Sequence, residues 1–363
     1  MAVDTKTMEM LATEPDITEG LDLSWMENTG ERGMHAKPGR RGLTLEEINK
    51  GSYGEVPLTS QEYTMAVRGG ARRDGVPRIG YHVGKKSDIW SDNAAMLYEE
   101  AVQRQWSSAT DIPWSELKPL PDDVERAYSQ FCTFLTEVEF IAGDTPAYWL
   151  PQISNDHYEV KMFLASQIMD EARHLDVFRK RALANGGGLM SSSGNAGLRV
   201  IIEAKDFTEM SAIMHVQGEG LVQSIFRMGE YIATNEAEKR IFRLSAQDES
   251  RHVAFGVMHL KYILETEPER REEIHSYLEK AEPLIGAGGG SAPVAGGSPI
   301  FGTSLGMLFG HSLGSVEEGG KMALAAFRRQ LNEYMHRLEV AGMGERRYRL
   351  PPMIQAILEP PKN

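Results

Sequence analysis

Two pentapeptides decide how this chain is read: Asp170-Glu171-Ala172-Arg173-His174 and Asp248-Glu249-Ser250-Arg251-His252. Each sets a Glu and a His three residues apart, so on a helix both side chains leave from one face. The surroundings are helical in period. Apolar residues recur at three- and four-residue steps over about 157–184 and 235–265, which contain the motifs, and over 122–145 and 206–232, which precede them. Pro146 and Pro151 mark the end of the first segment, Gly186-Gly187-Gly188 the end of the second, and Thr234-Asn235 the cap before the last. Period-two alternation is nearly absent. The expectation is an all-α chain built around a four-helix core.

Two Glu–His helices hold two metal ions between them if two further helices each add a bridging carboxylate. The preceding segments offer one apiece. In 122–145 the apolar stripe runs Val124, Tyr128, Phe131, Leu135, Val138 and Ala142, and Glu139 falls on it, whereas Glu137 lies with Arg126, Gln130 and Thr133 on the polar side. An acid on a buried stripe needs a partner to offset its desolvation. In 206–232 the stripe Ala212, Val216, Val222 and Phe226 contains Glu219. Glu139 precedes Glu171 by 32 residues and Glu219 precedes Glu249 by 30, so the halves repeat with their acids in matching places. The candidate ligands are Glu139, Glu171, His174, Glu219, Glu249 and His252. Asp170 and Asp248 would accept from the ligand imidazoles and fix their tautomer, and Arg173 and Arg251 would balance the buried acids. A lone Glu-x-x-His is ordinarily a solvated helix face. The doubled motif is a metal site.

The rest of the chain narrows the chemistry. Its 363 residues carry 39 basic against 52 acidic side chains, a net charge of −13, which weighs against a nucleic-acid partner. No apolar run approaches the ~18 residues of a membrane span. Met1 to Gly20 lacks the basic-then-apolar layout of a signal peptide, so a cytoplasmic protein is expected. The single Cys132 excludes thiolate clusters and leaves His and carboxylate as ligands. Residues 1–90 read as an irregular arm wrapping another part of the molecule and completing a homodimer. Residues 91–284 read as the bundle domain, and 285–315, rich in Gly, Ser and Pro over 285–306, as a flexible loop. Residues 316–363 add a helix and a tail. Trp106, His215 and His259 read first as packing residues.

The twin Asp-Glu-x-Arg-His motifs, each with its upstream Glu, resemble those of ferritin-like di-iron carboxylate oxygenases. They are most similar to the catalytic subunits of bacterial multicomponent monooxygenases, over about 94–265. The resemblance implies a ferritin-like four-helix bundle and two iron ions on the six ligands, with manganese accepted by the same set. It further implies O2 activation, hydroxylation, epoxidation or N-oxygenation of a small organic substrate, and electrons from a separate reductase or ferredoxin. The chain is shorter than those subunits, and Gln223 stands one turn after Glu219 where they carry a Thr. Proton delivery therefore does not carry over. Phe178, four residues after His174, stands where ribonucleotide reductase small subunits usually carry a radical Tyr. Some subunits with Phe there use a manganese–iron centre, which keeps a radical-generating protein as the alternative. Ser245 stands where arylamine N-oxygenases add a third His, and iron storage is a further alternative. Helical phase marks Gln223 and Phe178 as catalytic candidates, with Phe140, Gly143 and Phe226 as further pocket residues.

Overall fold

Helix-forming segments with acidic first turns and polar caps begin where the sequence places them. In the computed structural model the described residues are 35–60, 65–70, 83–191, 198–289 and 299–358, with a few isolated positions before residue 83. The longer helices are α1 (Ala94–Gln103), α2 (Asp122–Trp149) and α3 (Tyr158–Ala184). Next comes α4, formed by Phe207–Ser211, a π-helical stretch Ala212–Gly218, and Glu219–Ile232. The remainder are α5 (Glu236–Thr266), α6 (Arg271–Gly289), α7 (Pro299–Leu313) and α8 (Val316–Val340). Asp122, Asp123 and Glu125 in the first turn of α2 complement its N-terminal dipole. The Asn235 side chain accepts from the Glu238 amide at 3.0 Å and so caps α5. Among the described residues β pairing is confined to isolated bridges. None of their helices is long and apolar enough to cross a membrane.

The core is built in aromatic layers. Phe131, Phe178, Phe226 and Phe242 pack together toward one end of the bundle. Phe163, Phe207 and Phe255 pack toward the other, with Phe163 and Phe255 stacked at 4.4 Å. Between these layers α2, α3, α4 and α5 bring polar side chains to a common centre. That is where the motifs meet.

Two expectations are corrected by the packing. Pro146 does not end α2, which runs on to Trp149. Its ring is buried one turn inside the C-terminal end, where it removes one intrahelical hydrogen bond without ending the helix. The flexible loop expected over 285–315 is largely helix: α6 continues through Pro283 to Gly289, and α7 occupies Pro299–Leu313. Residues 290–298 lie outside the described residues. Leu305, Leu308 and Phe309 of α7 are buried in the core that α2 lines. Gly306 and Gly310 of α7 meet α8 closely, since a Cβ on Gly319 of α8 would fall 2.0 Å from the Gly306 carbonyl oxygen and 2.5 Å from the Gly310 nitrogen.

The described part of the arm folds back on its own chain. Arg68 donates Nη1 to the Asp156 carbonyl at 2.7 Å and to Glu159 Oε2 at 2.9 Å, at the start of α3. Val83 bridges to Ile153, and the Leu45 amide donates to Glu99 Oε1 of α1 at 2.8 Å.

Candidate metal centre

Glu139 of α2, Glu171 and His174 of α3, Glu219 of α4, and Glu249 and His252 of α5 converge in two overlapping groups. One group is Glu139, Glu171, His174 and Glu249; the other is Glu171, Glu219, Glu249 and His252, with potential ligand atoms of each group all within 4.8 Å of one another. All six side chains are buried. Glu137, the rejected alternative on α2, is only half-buried and belongs to neither group.

The geometry reverses the expected division of labour. Glu171 and Glu249, inside the motifs, are shared by both groups, whereas Glu139 and Glu219 belong to one each. Each shared carboxylate offers one oxygen to each imidazole. Glu171 Oε2 is 3.1 Å from His174 Nδ1 and its Oε1 is 2.9 Å from His252 Nδ1. Glu249 Oε1 is 3.1 Å from His174 Nδ1 and its Oε2 is 3.1 Å from His252 Nδ1. Sequence reasoning assigned the bridge to the upstream acids because it counted one acid per helix. The facing of α3 against α5 makes the motif acids the shared pair.

The motif aspartates act crosswise. His174 Nε2 meets Asp248 Oδ2 at 3.2 Å, and His252 Nε2 meets Asp170 Oδ2 at 3.3 Å, so each Asp holds the imidazole of the other motif. Arg251 donates Nη2 to Asp170 at 2.7 Å and to Asp248 at 2.6 Å. Arg173 donates to both as well, at 3.1 Å to Asp248. Two aspartates and two arginines thus close a charge-balanced ring outside the imidazoles.

Residues read as packing join this ring. Trp106 donates Nε1 to Asp248 Oδ2 at 2.7 Å and lies stacked over His174 with ring centres 6.4 Å apart. Gln167, which sequence reasoning missed, donates Nε2 to Glu219 Oε1 at 3.4 Å and accepts from His215 Nε2 at 3.1 Å. The one available signal was its place a turn before Glu171 on the same face. His215 is the buried residue it was expected to be, and a Cβ on Gly256 of α5 would lie 2.4 Å from its Cβ. The π-helical stretch that carries His215 runs directly into Glu219. Such bulges recur at functional sites. His259 donates Nδ1 to the Trp90 carbonyl at 2.8 Å and belongs to neither group of candidate ligands.

The pocket candidates divide. Phe178 and Phe226 are fully buried, with centres 5.1 Å apart, and Phe226 meets His174 edge-on at 6.1 Å. Gly143 lies against Glu171, where a Cβ would be 3.5 Å from the Glu171 Cβ. Gln223 donates Nε2 to Ser250 Oγ at 2.7 Å, beside Glu249. Phe140 is 56% exposed and lines no interior site, because one residue beyond Glu139 the helix has turned about 100° away from the core.

The electrostatics describe a site short of cations. Burial, reinforced by Glu171 and Glu249, pushes the Glu139 and Glu219 carboxyls well above the usual range. Burial also opposes charge on His174 and His252, but the surrounding aspartate and glutamates outweigh it and hold both imidazoles well above their ordinary value. Neither Glu139 oxygen has a hydrogen-bond partner, and no Lys or Arg pairs with any of the four glutamates among the described residues. Orphaned buried carboxylates beside inward-facing imidazole Nδ1 atoms fit a pair of hard divalent cations.

No family model matches this chain, and no curated protein matches it. Solved structures do. A mutant of R2-like ligand-binding oxidase with anaerobically reconstituted Mn/Fe cofactor aligns at a TM-score of 0.50 with 17% identity, over 72% of this chain and 99% of that one. This chain has the ferritin-like bundle fold of the R2-like oxidases. R2-like ligand-binding oxidase with aerobically reconstituted metal cofactor after photoconversion aligns at 0.49 with 16% identity, over 72% and 98%. Helix α8 lies against α7 and α4.

Proposed function

We propose that the chain is an O2-dependent oxidoreductase that holds two iron ions, or one manganese and one iron, between α2, α3, α4 and α5. The observation that carries this reading is the sharing of Glu171 and Glu249 between two buried groups whose carboxylates no Lys or Arg among the described residues neutralises. Glu139 and His174 would complete one metal's ligands, and Glu219 and His252 the other's. When bound, such a reducible pair supplies the electrons and Lewis acidity with which O2 is activated for oxygenation of a small organic substrate.

The protein's own groups do the rest. Asp170 and Asp248 hold the Nε2 protons of the two imidazoles and so keep Nδ1 free to face inward. The layers of Phe178 and Phe226 on one side and Phe163 and Phe255 on the other exclude water. Gln167 orients Glu219 through its amide. Trp106, Asp248 and His174 form a continuous hydrogen-bonded line to the centre, a route by which a separate reductase or ferredoxin delivers electrons. Phe178 has no phenol, so a tyrosyl radical cannot be stored at that position. The Mn/Fe cofactor of R2-like ligand-binding oxidase keeps the mixed centre as the second reading.

Reconstitution of the full chain with iron alone and with iron plus manganese, followed by elemental analysis and O2 uptake with an added reductant, tests this. Two metals per chain and reductant-dependent O2 uptake are expected. Fewer than one metal per chain, or turnover in strict anaerobiosis, overturns the reading. A persistent protein radical supports the radical-generating alternative, and uptake of many iron atoms without organic product supports storage.

A further inference from the structure

Outside the metal centre, this acidic chain gathers arginines around a cavity of about 590 Å³ between α4, α5 and α8. Its inner end is lined by Gln223, one turn after Glu219, and by Val253, next to His252. Its walls carry four arginines, Arg227, Arg328, Arg329 and Arg337, against one carboxylate, Glu333. Glu333 is already engaged, accepting from Arg329 Nε at 2.9 Å and from the Ser224 hydroxyl. Among the described residues no carboxylate forms an ion pair with Arg227, Arg328 or Arg337, and Arg328 donates Nε to the Ile357 carbonyl at 2.9 Å.

Arg337 is the most constrained of them. Its side chain is buried, and its Nε donates to the Val216 carbonyl at 3.1 Å. The guanidinium lies flat against Gly220, where a Cβ would be 2.3 Å from Cζ, so only glycine after the ligand Glu219 admits it. Its Nη2 is buried and has no acceptor. Burial pulls its pKa down to about 10, and Glu333 offsets this only in part. A buried guanidinium with an idle N–H edge costs free energy unless an acceptor from outside completes it.

We propose that this cavity is the substrate entrance of the metal centre and selects organic oxyanions, carboxylates or phosphate monoesters on an apolar body. Arg337 takes the anionic head, Arg227 and Arg328 raise the local concentration of anions, and the apolar body reaches toward Gln223 and Val253. The volume suits a small ligand of this kind. The assignment of the cavity to an oxidation site rests on the proposed function above; the anion selectivity does not.

Calorimetric titration of the full chain with octanoate, octyl phosphate and neutral octanamide tests the proposal, in metal-free and metal-loaded protein. The metal-free arm removes direct coordination of the head group to metal. Octanoate or octyl phosphate should bind about tenfold or more tightly than octanamide in both forms, and the tighter anion tells carboxylate from phosphate recognition. Arg337→Gln should abolish that margin while circular dichroism and metal content stay unchanged. Equal binding of anion and amide to the unaltered protein overturns the proposal, as does a folded Arg337→Gln protein that keeps the margin. Should Arg337→Gln fail to fold, the double variant Arg227→Gln/Arg328→Gln decides: about a fivefold weaker anion affinity is expected, and no change overturns the proposal. Loss of the anion margin with two metals and O2 uptake intact sinks this inference alone, whereas an intact margin with no metal bound sinks the metal reading alone.

Discussion

Two buried acid clusters lie a few turns apart on the same helices. In one, Arg181 of α3 donates Nε to Glu238 Oε1 at 2.7 Å and Nη1 to Glu125 Oε1 at 2.6 Å, joining α3 to α5 and α2. In the other, Glu139, Glu171, Glu219 and Glu249 crowd together from α2, α3, α4 and α5 with only two imidazoles among them. Burial imposes the same desolvation penalty in both places. The first cluster meets it with a cation from the chain itself, and the second leaves the role open. A closed cluster holds helices together; an open one is built for ions from solution.

That contrast can be broken most forcefully at the shared carboxylates. Glu171→Ala or Glu249→Ala should lower metal content from two ions to one or none and abolish reductant-dependent O2 uptake. Glu171→Ala also removes the carboxylate that faces both imidazoles, so the metal-free form of that variant should be less stable while remaining helical. Elemental analysis with circular dichroism checks both halves. Retention of two metals would show that the open cluster is not a metal site.

At the closed cluster the opposite pattern is expected. Arg181→Met strands Glu125 and Glu238 without their cation and should destabilise the metal-free protein by about 3–5 kcal/mol. The folded fraction should still bind two metals. Urea unfolding beside elemental analysis separates the two effects.

A subtler difference appears with pH. In the metal-free protein His174 and His252 are raised above the ordinary imidazole value of 6.5, so their contribution to stability is complete below it and is lost as pH climbs through the raised value. Glu139 and Glu219, also raised, act with the same sign. Glu171 is held below the usual carboxylate range, because the two imidazoles outweigh its burial, so its contribution is lost only in strong acid. Thermal melts of the metal-free chain should therefore fall from pH 6.5 upward. Metal affinity, followed by chelator competition, should rise over the same interval, because the ions displace those protons. Parallel trends would mean that the raised groups are not the ligands.

The smallest effect is expected far from either cluster. Gly319→Ala should force α7 and α8 apart and cost about 1–3 kcal/mol in urea unfolding, with metal content unchanged. A neutral substitution would mean that α7 is only loosely attached.

Much of the centre was legible before any coordinates. The Glu–x–x–His spacing, and an acid on an otherwise apolar stripe, each carry their own physical reason, and Glu139 proved more informative than Glu137 because only it fell on the buried face. Phe140, its neighbour, was misplaced because helical phase was stretched to a residue a quarter-turn off that face. The Gly-rich stretch misled for a different reason. Its residues 299–313 form α7, where Gly306 and Gly310 are points at which the backbone touches that of α8 at Gly319.

The sequence by itself determined the helical class, the repeated helix pairs and the identity of the six converging side chains, because periodicity and burial are properties of one helix at a time. Only the tertiary structure decided which carboxylates are shared, which aspartate serves which imidazole, that Trp106 and Gln167 join the centre, and that Arg337 lies idle over Gly220. Each of these depends on the facing and offset of two different helices. Side-chain spacing along one chain does not encode that, and packing at full density does.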